Sequence, residues 1–484
     1  HQGHRGRAPA HRSQSRDRRG LSGVKINGPV GGPMPERSIL RRLLGLPART
    51  TAPKEAARDA QKVIDLCQAL MSERGEVSGA RLATETLDAY KTLDDTSLPP
   101  FFDLLASVYA PDPDAVSKAA DDYRESPTPA NLLRLQQAVD SPRQELFRRL
   151  NMAPGGTAVL VEMRRRLLRD LRDTPQWIGI DADLAHLFRS WFNRGFLLLE
   201  RIDWRTSAQV LEKLIKYEAV HEIQGWRDLR RRTQADRRCY AFFHPALPEE
   251  PLIFIEVALT KGISDKVQPL LDPEAPVFDA READSAMFYS ITNCQEGLRG
   301  VSFGNLLIKQ VAEDLGREFP KLKTFSTLSP IPGFRAWLTA EAGKKDGEPR
   351  REHLADLLTM LDLPDWMQDK DIGARLQREL TRLCAYYLLH AKSRSEPLDS
   401  VARFHLGNGA RLERLKWLGD TSPTGIRRSA GLMVNYVYDL GDLERNHEAY
   451  AKDQRIIAAR RFELMARDSL LARAPNKSES KTTS

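Results

Sequence analysis

The sequence has few cysteines, and their arrangement predicts neither a metal site nor a disulfide framework. Cys67, Cys239, Cys294 and Cys384 are scattered through 484 residues, without a Cys-x-x-Cys pair. Cys239 lies near His244, but no second pair of ligands accompanies them. Isolated reduced thiols are typical of cytoplasmic proteins. We therefore predict a cytoplasmic protein with no metal and no disulfide.

The chain also lacks an apolar run of membrane-spanning length and a basic folded surface. No stretch approaches the roughly 20 apolar residues of a transmembrane helix, so we expect no membrane span. The net charge is +8, but residues 1–50 carry 11 Lys and Arg against two Asp and Glu, and the rest of the chain carries a net charge of −1. Because the basicity belongs to a tail, we expect no nucleic-acid partner.

Length and composition predict two domains with a large core, because 41% of the residues are hydrophobic and 29% are charged. Residues 1–36, rich in Arg, Gly and Pro without an apolar period, predict a disordered basic tail. Residues 37–235 show almost only helical periodicity and predict a helical domain for support and oligomer contact. Residues 236–471 mix strand and helix patterns and predict an α/β catalytic domain, and 472–484 predict a polar tail.

Two details of the predicted helical domain matter below. The pattern predicts a helix over residues 183–200, with a heavy apolar stripe. The basic runs Arg164-Arg-Arg166 and Arg230-Arg-Arg232 can bind phosphates, but runs of this kind are more often solvated helix faces, and we predict solvated faces here.

The second domain is organised around a strand, a glycine-bearing loop, a helix and a second strand. The pattern predicts these at residues 287–292, 293–304, 305–319 and 322–328, with Pro320 ending the helix. A glycine-bearing loop at a helix start lets backbone N–H groups face an anion such as pyrophosphate. Spacing alone favours an ordinary crossover, because the loop matches neither the Walker pattern nor G-x-G-x-x-G.

Ser329 stands at the end of the second predicted strand. Pro330 and Pro332 follow it, and we expect them to end strand pairing. A hydroxyl held there by rigid backbone is well placed for a reaction, although Ser-Pro is also a common turn opener. Gly300-Val-Ser-Phe-Gly304 matches the G-x-S-x-G pattern of hydrolases, but its serine lies well beyond the predicted end of the first strand, which disfavours a hydrolase.

Together, five segments resemble the malonyl-CoA decarboxylase family, over roughly residues 50 to 467. They are Tyr289-Ser-Ile, Gly300-Val301, Leu328-Ser-Pro-Ile-Pro-Gly-Phe334, Phe404-His-Leu-Gly-Asn-Gly409 and Gly431-Leu-Met-Val-Asn-Tyr-Val-Tyr438. The resemblance implies an α+β protein of two domains, an N-terminal all-helical bundle followed by an acetyltransferase-like (GNAT-like) α/β domain. In that fold two adjacent strands, here 286–292 and 322–328, splay apart to admit the pantetheine arm of coenzyme A.

The resemblance also implies an activity, the decarboxylation of malonyl-CoA to acetyl-CoA and carbon dioxide. Coenzyme A is then part of the substrate, and no metal or other cofactor is implied. Family members are dimers or tetramers, which implies a homo-oligomer. Two alternatives stay open: an acyltransferase that uses acyl-CoA, and a non-enzymatic protein that senses acyl-CoA.

Site residues follow from the same resemblance. Ser329 corresponds to the residue that contacts the malonyl carboxylate and accepts a proton, and His405 to the proton donor; Ser329 as a covalent nucleophile is a less favoured alternative. Tyr438 corresponds to a tyrosine that can bond the carboxylate. The malonyl-CoA-binding loop comprises Arg299, Gly300, Val301, Ser302, Phe303, Gly304 and Asn305. Animal members carry glutamate where Ser302 stands, which leaves its side-chain role open.

Overall fold

The structure, a computed structural model, describes residues 52–301, 303 and 306–472. The predicted tail at 1–36 and residues 473–484 of the predicted polar tail lie outside these residues. The described residues from Glu55 to Ala472 belong to one compact unit. Its largest hydrophobic cluster includes residues of both the helical part and the sheet.

Eight α-helices precede the first strand in the described part of the chain. They are α1 (Ala52–Ser72), α2 (Glu76–Lys91), α3 (Leu98–Val108), α4 (Pro113–Glu125), α5 (Pro129–Val139), α6 (Pro142–Leu150), α7 (Gly156–Asp170) and α8 (Ile178–Trp191). Apolar residues at helical spacing bury one face of these helices. On α1 this face includes Val63, Ile64 and Cys67.

The helix predicted over residues 183–200 is wrong in its second half. Helix α8 ends at Trp191, and the Asn193 side chain then accepts a hydrogen bond from the Gly195 N–H in a tight turn. The next segment is strand β1 (Leu198–Ile202), which pairs antiparallel with 239–243. The sheet therefore begins inside the range predicted to be helical, and the domain boundary at residue 235 stays a prediction.

The remaining elements form the sheet and its covering helices. The strands are β2 (Arg237–Phe243), β3 (Ile253–Thr260), β4 (Ser285–Asn293), β5 (Thr324–Thr327), β6 (Ser329–Pro330), β7 (Lys392–Ser393), β8 (Glu396–Pro397), β9 (Arg411–Lys416) and β10 (Met433–Val437). The helices are α9 (Ala208–Tyr217), α10 (Trp226–Arg232), α11 (Gln268–Leu271), α12 (Leu307–Glu318), α13 (Phe334–Ala342), α14 (Pro349–Leu361), α15 (Lys370–His390), α16 (Ser400–Gly407), α17 (Pro423–Ser429), α18 (Leu443–Asp453) and α19 (Arg460–Arg467).

The main sheet is mixed and covered on both faces. Its order is β1-β2-β3-β4-β5-β10-β6, with β9 also paired to β10. Among its described strands, β4 and β5 form the one parallel pair. The apolar stripe of α12, which includes Leu307, Val311 and Leu315, shares a cluster with the sheet, and α9 packs on other sheet residues in a separate cluster. This mixed sheet after a helical region confirms the predicted fold class.

The parallel strands β4 and β5 separate along their length. They pair from Ser285 opposite Thr324 to Phe288 opposite Thr327. Strand β4 then continues along β3 to Asn293. The segment that follows β5 instead pairs with β10, where Ser329 lies opposite Val434. The divergence opens a cleft at the position predicted for the splayed strands.

Pairing continues through Pro330, which corrects the expectation that the prolines end it at Ser329. Strand β6 forms a two-residue ladder with β10, with Pro330 opposite Met433. Proline lacks an N–H donor but keeps a carbonyl acceptor, and it is tolerated at the end of a short edge strand. The chain leaves the sheet after this pair, and α13 begins at Phe334.

Candidate active site

A cavity of about 240 Å³ occupies the cleft between the diverging strands. Its walls come from β4, β6, α16 and the segment after α9. The lining residues are Val220, Phe288, Tyr289, Ser290, Ile291, Asn293, Ser329, Pro330, Ser400, Val401, Phe404 and His405. The two residues expected to be catalytic therefore line one cavity.

Ser329 and His405 are in direct contact although 76 positions separate them in the chain. The Oγ atom of Ser329, on β6, lies 2.9 Å from Nε2 of His405, on α16. Only 5% of Ser329 and 3% of His405 is exposed. The hydrogen bond is therefore shielded from bulk water, which strengthens its electrostatic component.

Thr327 orients the Ser329 hydroxyl. Ser329 donates its hydroxyl proton to Oγ1 of Thr327 at 2.8 Å, and the backbone N–H of Tyr436 donates to the same Oγ1 at 3.1 Å. With its proton directed at Thr327, Ser329 Oγ is free to accept a hydrogen bond from Nε2–H of His405. Sequence reasoning missed Thr327, although residues two apart near a strand end share a face.

The His405 ring is held by Tyr436, on β10, and by Tyr438, which directly follows β10. The hydroxyl oxygen of Tyr438 lies 2.6 Å from Nδ1 of His405. Tyr436 stacks on the imidazole, with centroids 4.4 Å apart and an interplanar angle of 25°. Sequence reasoning missed Tyr436; its position two residues before Tyr438 was the available signal.

Burial decides the protonation of this group. It lowers the pKa of His405 to about 3, so the imidazole is neutral near pH 7. Burial raises the pKa of Tyr438 well above its ordinary value, so that the phenol keeps its proton. The Tyr438 O–H then donates to Nδ1, and the ring carries its hydrogen on Nε2, facing Ser329. Tyr438 thus contacts His405 and is absent from the residues that line the cavity.

Arg164 holds the beginning of the predicted binding loop. Its Nη1 donates to the carbonyl oxygens of Gly297 and Arg299 at 2.8 and 2.9 Å, and its Nε donates to Asp181. Arg164 is only 4% exposed. The prediction that this basic run is a solvated helix face is therefore wrong for Arg164, because the guanidinium satisfies carbonyls that the loop leaves unpaired.

The second basic run is likewise mostly buried, which corrects the same prediction. Arg231 donates to Asp236 at 2.8 Å. Arg232 donates to Asp228 and to Glu256, both at 2.9 Å. These ion pairs lie behind β2 and β3 and neutralise carboxylates that would otherwise be costly to bury.

The loop itself is described in part. Arg299 and Gly300 are exposed, and Gly300 has a φ of +77°, a conformation that glycine adopts without strain. Val301 and Phe303 are buried and anchor the loop in the main core. Ser302, Gly304 and Asn305 lie outside the described residues.

Two features are absent from the described residues, a cluster of metal ligands and a membrane-spanning helix. Within 52–301, 303 and 306–472, no set of three or more His, Cys, Asp or Glu side chains is arranged to hold a metal ion. In the same ranges, no helix is both long enough and apolar enough to cross a membrane.

Comparison with known proteins gives consistent matches along the chain. A family model described as the malonyl-CoA decarboxylase N-terminal domain matches residues 109–192, and one described as the C-terminal domain matches residues 195–478. The mitochondrial malonyl-CoA decarboxylase of Anser anser anser is 41% identical over 344 residues, which cover 66% of this chain and 68% of the relative. The Rattus norvegicus enzyme is 37% identical over 354 residues, 67% of this chain and 71% of the relative.

Solved structures agree in fold as well as in sequence. A malonyl-CoA decarboxylase from Rhodopseudomonas palustris is 49% identical, with a TM-score of 0.79 over 84% of this chain and 99% of the other. One from Cupriavidus metallidurans is 35% identical, with a TM-score of 0.65 over 84% of this chain and 100% of the other. By these matches, the chain belongs to the malonyl-CoA decarboxylase family.

Proposed function

We propose that the cleft binds malonyl-CoA and that Ser329 and His405 carry its decarboxylation to acetyl-CoA and carbon dioxide. This proposal rests on the 2.9 Å contact between the Ser329 and His405 side chains, in the cavity where β4 and β5 diverge. The relatives named above are decarboxylases, so the acyltransferase and sensor alternatives are not favoured.

The reaction breaks the bond between the malonyl α-carbon and its carboxylate carbon. The electron pair of that bond moves into the thioester to form an enolate, carbon dioxide leaves, and the α-carbon then takes up a proton. Each turnover therefore consumes one proton from solvent. The thioester itself is the electron sink, so the proposed chemistry requires neither a metal nor another cofactor.

Ser329 and His405 have complementary roles in this scheme. The Ser329 hydroxyl binds the malonyl carboxylate. After carbon dioxide leaves, Ser329 passes its proton to the α-carbon and accepts one from Nε2 of the protonated His405, which returns to the neutral form. A neutral His405 in the empty cavity avoids burying an unpaired cation. The carboxylate of the substrate raises the imidazole pKa when it binds, because an opposite charge nearby favours the protonated form.

The enolate oxygen needs preorganised N–H donors. In the β3–β4 pair, Glu256 lies opposite Ser290 and Val257 opposite Phe288, so Tyr289 is an extra residue without a partner on β3. Tyr289 also lines the cavity. We place the thioester carbonyl near this irregularity and the coenzyme A pyrophosphate at the loop 299–305, whose predicted residues are those of the family's binding loop.

Two predictions of the sequence remain part of the proposal. The chain forms a homo-oligomer, dimer or tetramer, through its helical part. It acts in the cytoplasm, although the curated relatives named above are designated mitochondrial. Size measurement in solution and localisation of the tagged protein test these two statements separately.

The reaction is tested by incubating the purified chain with malonyl-CoA in deuterated water. The proposal predicts carbon dioxide and acetyl-CoA in equal amounts, with at least one deuterium in the acetyl methyl group. Free coenzyme A together with an acylated amine would instead indicate an acyltransferase. Binding of malonyl-CoA without turnover would indicate a sensor.

A further inference from the structure

Asp399 lies directly before the helix that carries His405 and is only 2% exposed. It is the N-cap residue of α16, and its Oδ1 accepts a hydrogen bond from the Ala402 N–H at 2.9 Å. An N-cap carboxylate satisfies N–H groups of the first helical turn and interacts favourably with the helix dipole. Asp399 therefore fixes the start of the helix on which His405 stands.

The same carboxylate also contacts the segment that follows Ser329. The Tyr387 hydroxyl donates to Oδ2 at 3.4 Å. The backbone N–H of Gly333, four residues after Ser329, faces the carboxylate and lowers its pKa. A Cβ at Gly333 would lie 2.4 Å from the Tyr387 hydroxyl oxygen, so the turn is packed closely against this pair. One side chain thus joins the Ser329 segment to the His405 helix.

Capping alone does not account for this arrangement. Asp369 caps α15 in the same way, accepting from the N–H groups of Asp371 and Ile372, and it is exposed. Asp399 is instead buried, and no Lys or Arg among the described residues pairs with it. Burial raises its pKa, and the N–H groups of Ala402, Val401 and Gly333 oppose that rise. Burying a carboxylate without a cation costs free energy, which a contact with two catalytic segments can justify.

We infer that Asp399 is a positioning residue that sets the Ser329–His405 contact by tying the turn after β6 to the start of α16. This inference rests on the proposed function of that pair. The mechanism is geometric: if the two segments move apart by about 1 Å, the 2.9 Å hydrogen bond is lost, and displacements of that size lower rates by about 100-fold.

The variant Asp399→Asn separates the two contacts. Asparagine is as good an N-cap as aspartate, so the side-chain oxygen can still accept from Ala402 and α16 can form. The amide NH₂ then replaces the acceptor that faces Gly333 and Tyr387, and donors meet donors. We expect kcat for malonyl-CoA to fall at least tenfold, with KM within twofold of the parent value. The matched control Asp369→Asn changes a cap remote from the site and should leave kcat unchanged.

A second variant covers the case in which Asp399→Asn does not fold. Tyr387→Phe keeps the ring that packs on Phe334 and Trp337 and removes only the hydroxyl donor. It should lower kcat in the same direction by a smaller factor. In a Ser329→Ala background, where the pair is already broken, neither variant should lower the residual rate further.

A spectroscopic readout keeps this inference separate from the proposed reaction. In nitrogen-15 spectra of the unliganded protein, the His405 ring should report a hydrogen on Nε2 in the parent chain and an altered hydrogen bond there in Asp399→Asn. Identical His405 signals, or a kcat equal to that of Asp369→Asn, would overturn the positioning role. If the His405 signals differ between Asp399→Asn and the parent, but the parent releases no carbon dioxide, the proposed reaction is contradicted and the positioning role is still supported.

Discussion

The hydroxyl of Tyr438 lies 2.6 Å from Nδ1 of His405, on the opposite side of the ring from Ser329. This contact explains how a buried, neutral imidazole directs its hydrogen toward the cavity. The phenol donates a hydrogen bond to Nδ1, which therefore carries no hydrogen of its own, and Nε2 carries the hydrogen that faces Ser329.

The variant Tyr438→Phe tests this arrangement. It removes the phenol oxygen and keeps the ring, so the imidazole loses the partner that fixes its tautomer. We expect kcat to fall by about 100-fold, the lower end of the range for a single general acid–base contribution, with little change in KM. Steady-state release of carbon dioxide measures both constants.

Tyr450→Phe is a suitable control for Tyr438→Phe. Tyr450 is also a mostly buried tyrosine, and its hydroxyl has no hydrogen-bond partner in the part of the chain that the structure describes. Its loss should leave kcat unchanged. Equal rates for Tyr438→Phe and the parent would show that catalysis does not depend on the Tyr438 hydroxyl to fix the His405 tautomer.

Thr327 should matter through its hydroxyl rather than its shape. Thr327→Val conserves volume but leaves the Tyr436 N–H without its acceptor and the Ser329 hydroxyl without its partner. An unsatisfied buried donor costs about 1–3 kcal/mol, so we expect the midpoint of urea unfolding to move to a lower urea concentration. We also expect kcat to fall. Thr327→Ser retains the oxygen and should keep most of the activity; a serine variant as inactive as the valine variant would contradict this role.

Arg164 should affect substrate binding more than chemistry. It holds the carbonyls of Gly297 and Arg299 at the entrance to the proposed coenzyme A loop. We expect Arg164→Met to raise KM for malonyl-CoA severalfold while kcat changes little. Among the described residues, the neighbouring exposed Arg165 forms its ion pair with Glu162, so Arg165→Met is the control. A loss confined to kcat would argue against a binding role for the loop.

The pKa of His405 predicts a pH dependence of stability. Burial lowers this pKa to about 3, below the value of about 6.5 expected in the unfolded chain. Between these values the unfolded state binds more protons, so stability falls as pH falls through that window. For this residue the slope is about 1.4 kcal/mol per pH unit.

Urea unfolding of the parent and of His405→Asn at pH 6.0, 5.0 and 4.5 isolates that slope. Other groups, including the half-buried His221 and the buried His244, titrate in both proteins and cancel in the difference. The parent should lose stability faster than the variant on acidification. Parallel curves would show that His405 is not buried in its neutral form.

The sequence predicted the sheet elements because their signals are local. Aromatic and β-branched residues predicted β4, and 3.6-residue periodicity predicted α12. Strand β1 was missed because its Leu198–Ile202 segment follows a strongly apolar helix without a proline between them. Its strand conformation depends on pairing with β2, a contact that no local pattern records.

The site was predicted unevenly for a similar reason. Ser329 and His405 were found by resemblance, and the structure brings them into contact. Thr327, Tyr436 and Asp399 were missed because the sequence does not show which groups their side chains contact in the folded protein. Buried ion pairs such as those of Arg232 were also missed, since charge runs carry no information about which carboxylates the fold places beside them.

The most direct test of the central claim is carbon dioxide release from malonyl-CoA by the parent chain, Ser329→Ala and His405→Asn, with binding of malonyl-CoA measured on the same samples. The account predicts release by the parent, a loss of most turnover in each variant, and retained binding in both. Full turnover in either variant would remove that residue from the mechanism. A parent chain that binds malonyl-CoA and releases no carbon dioxide would contradict the proposed function.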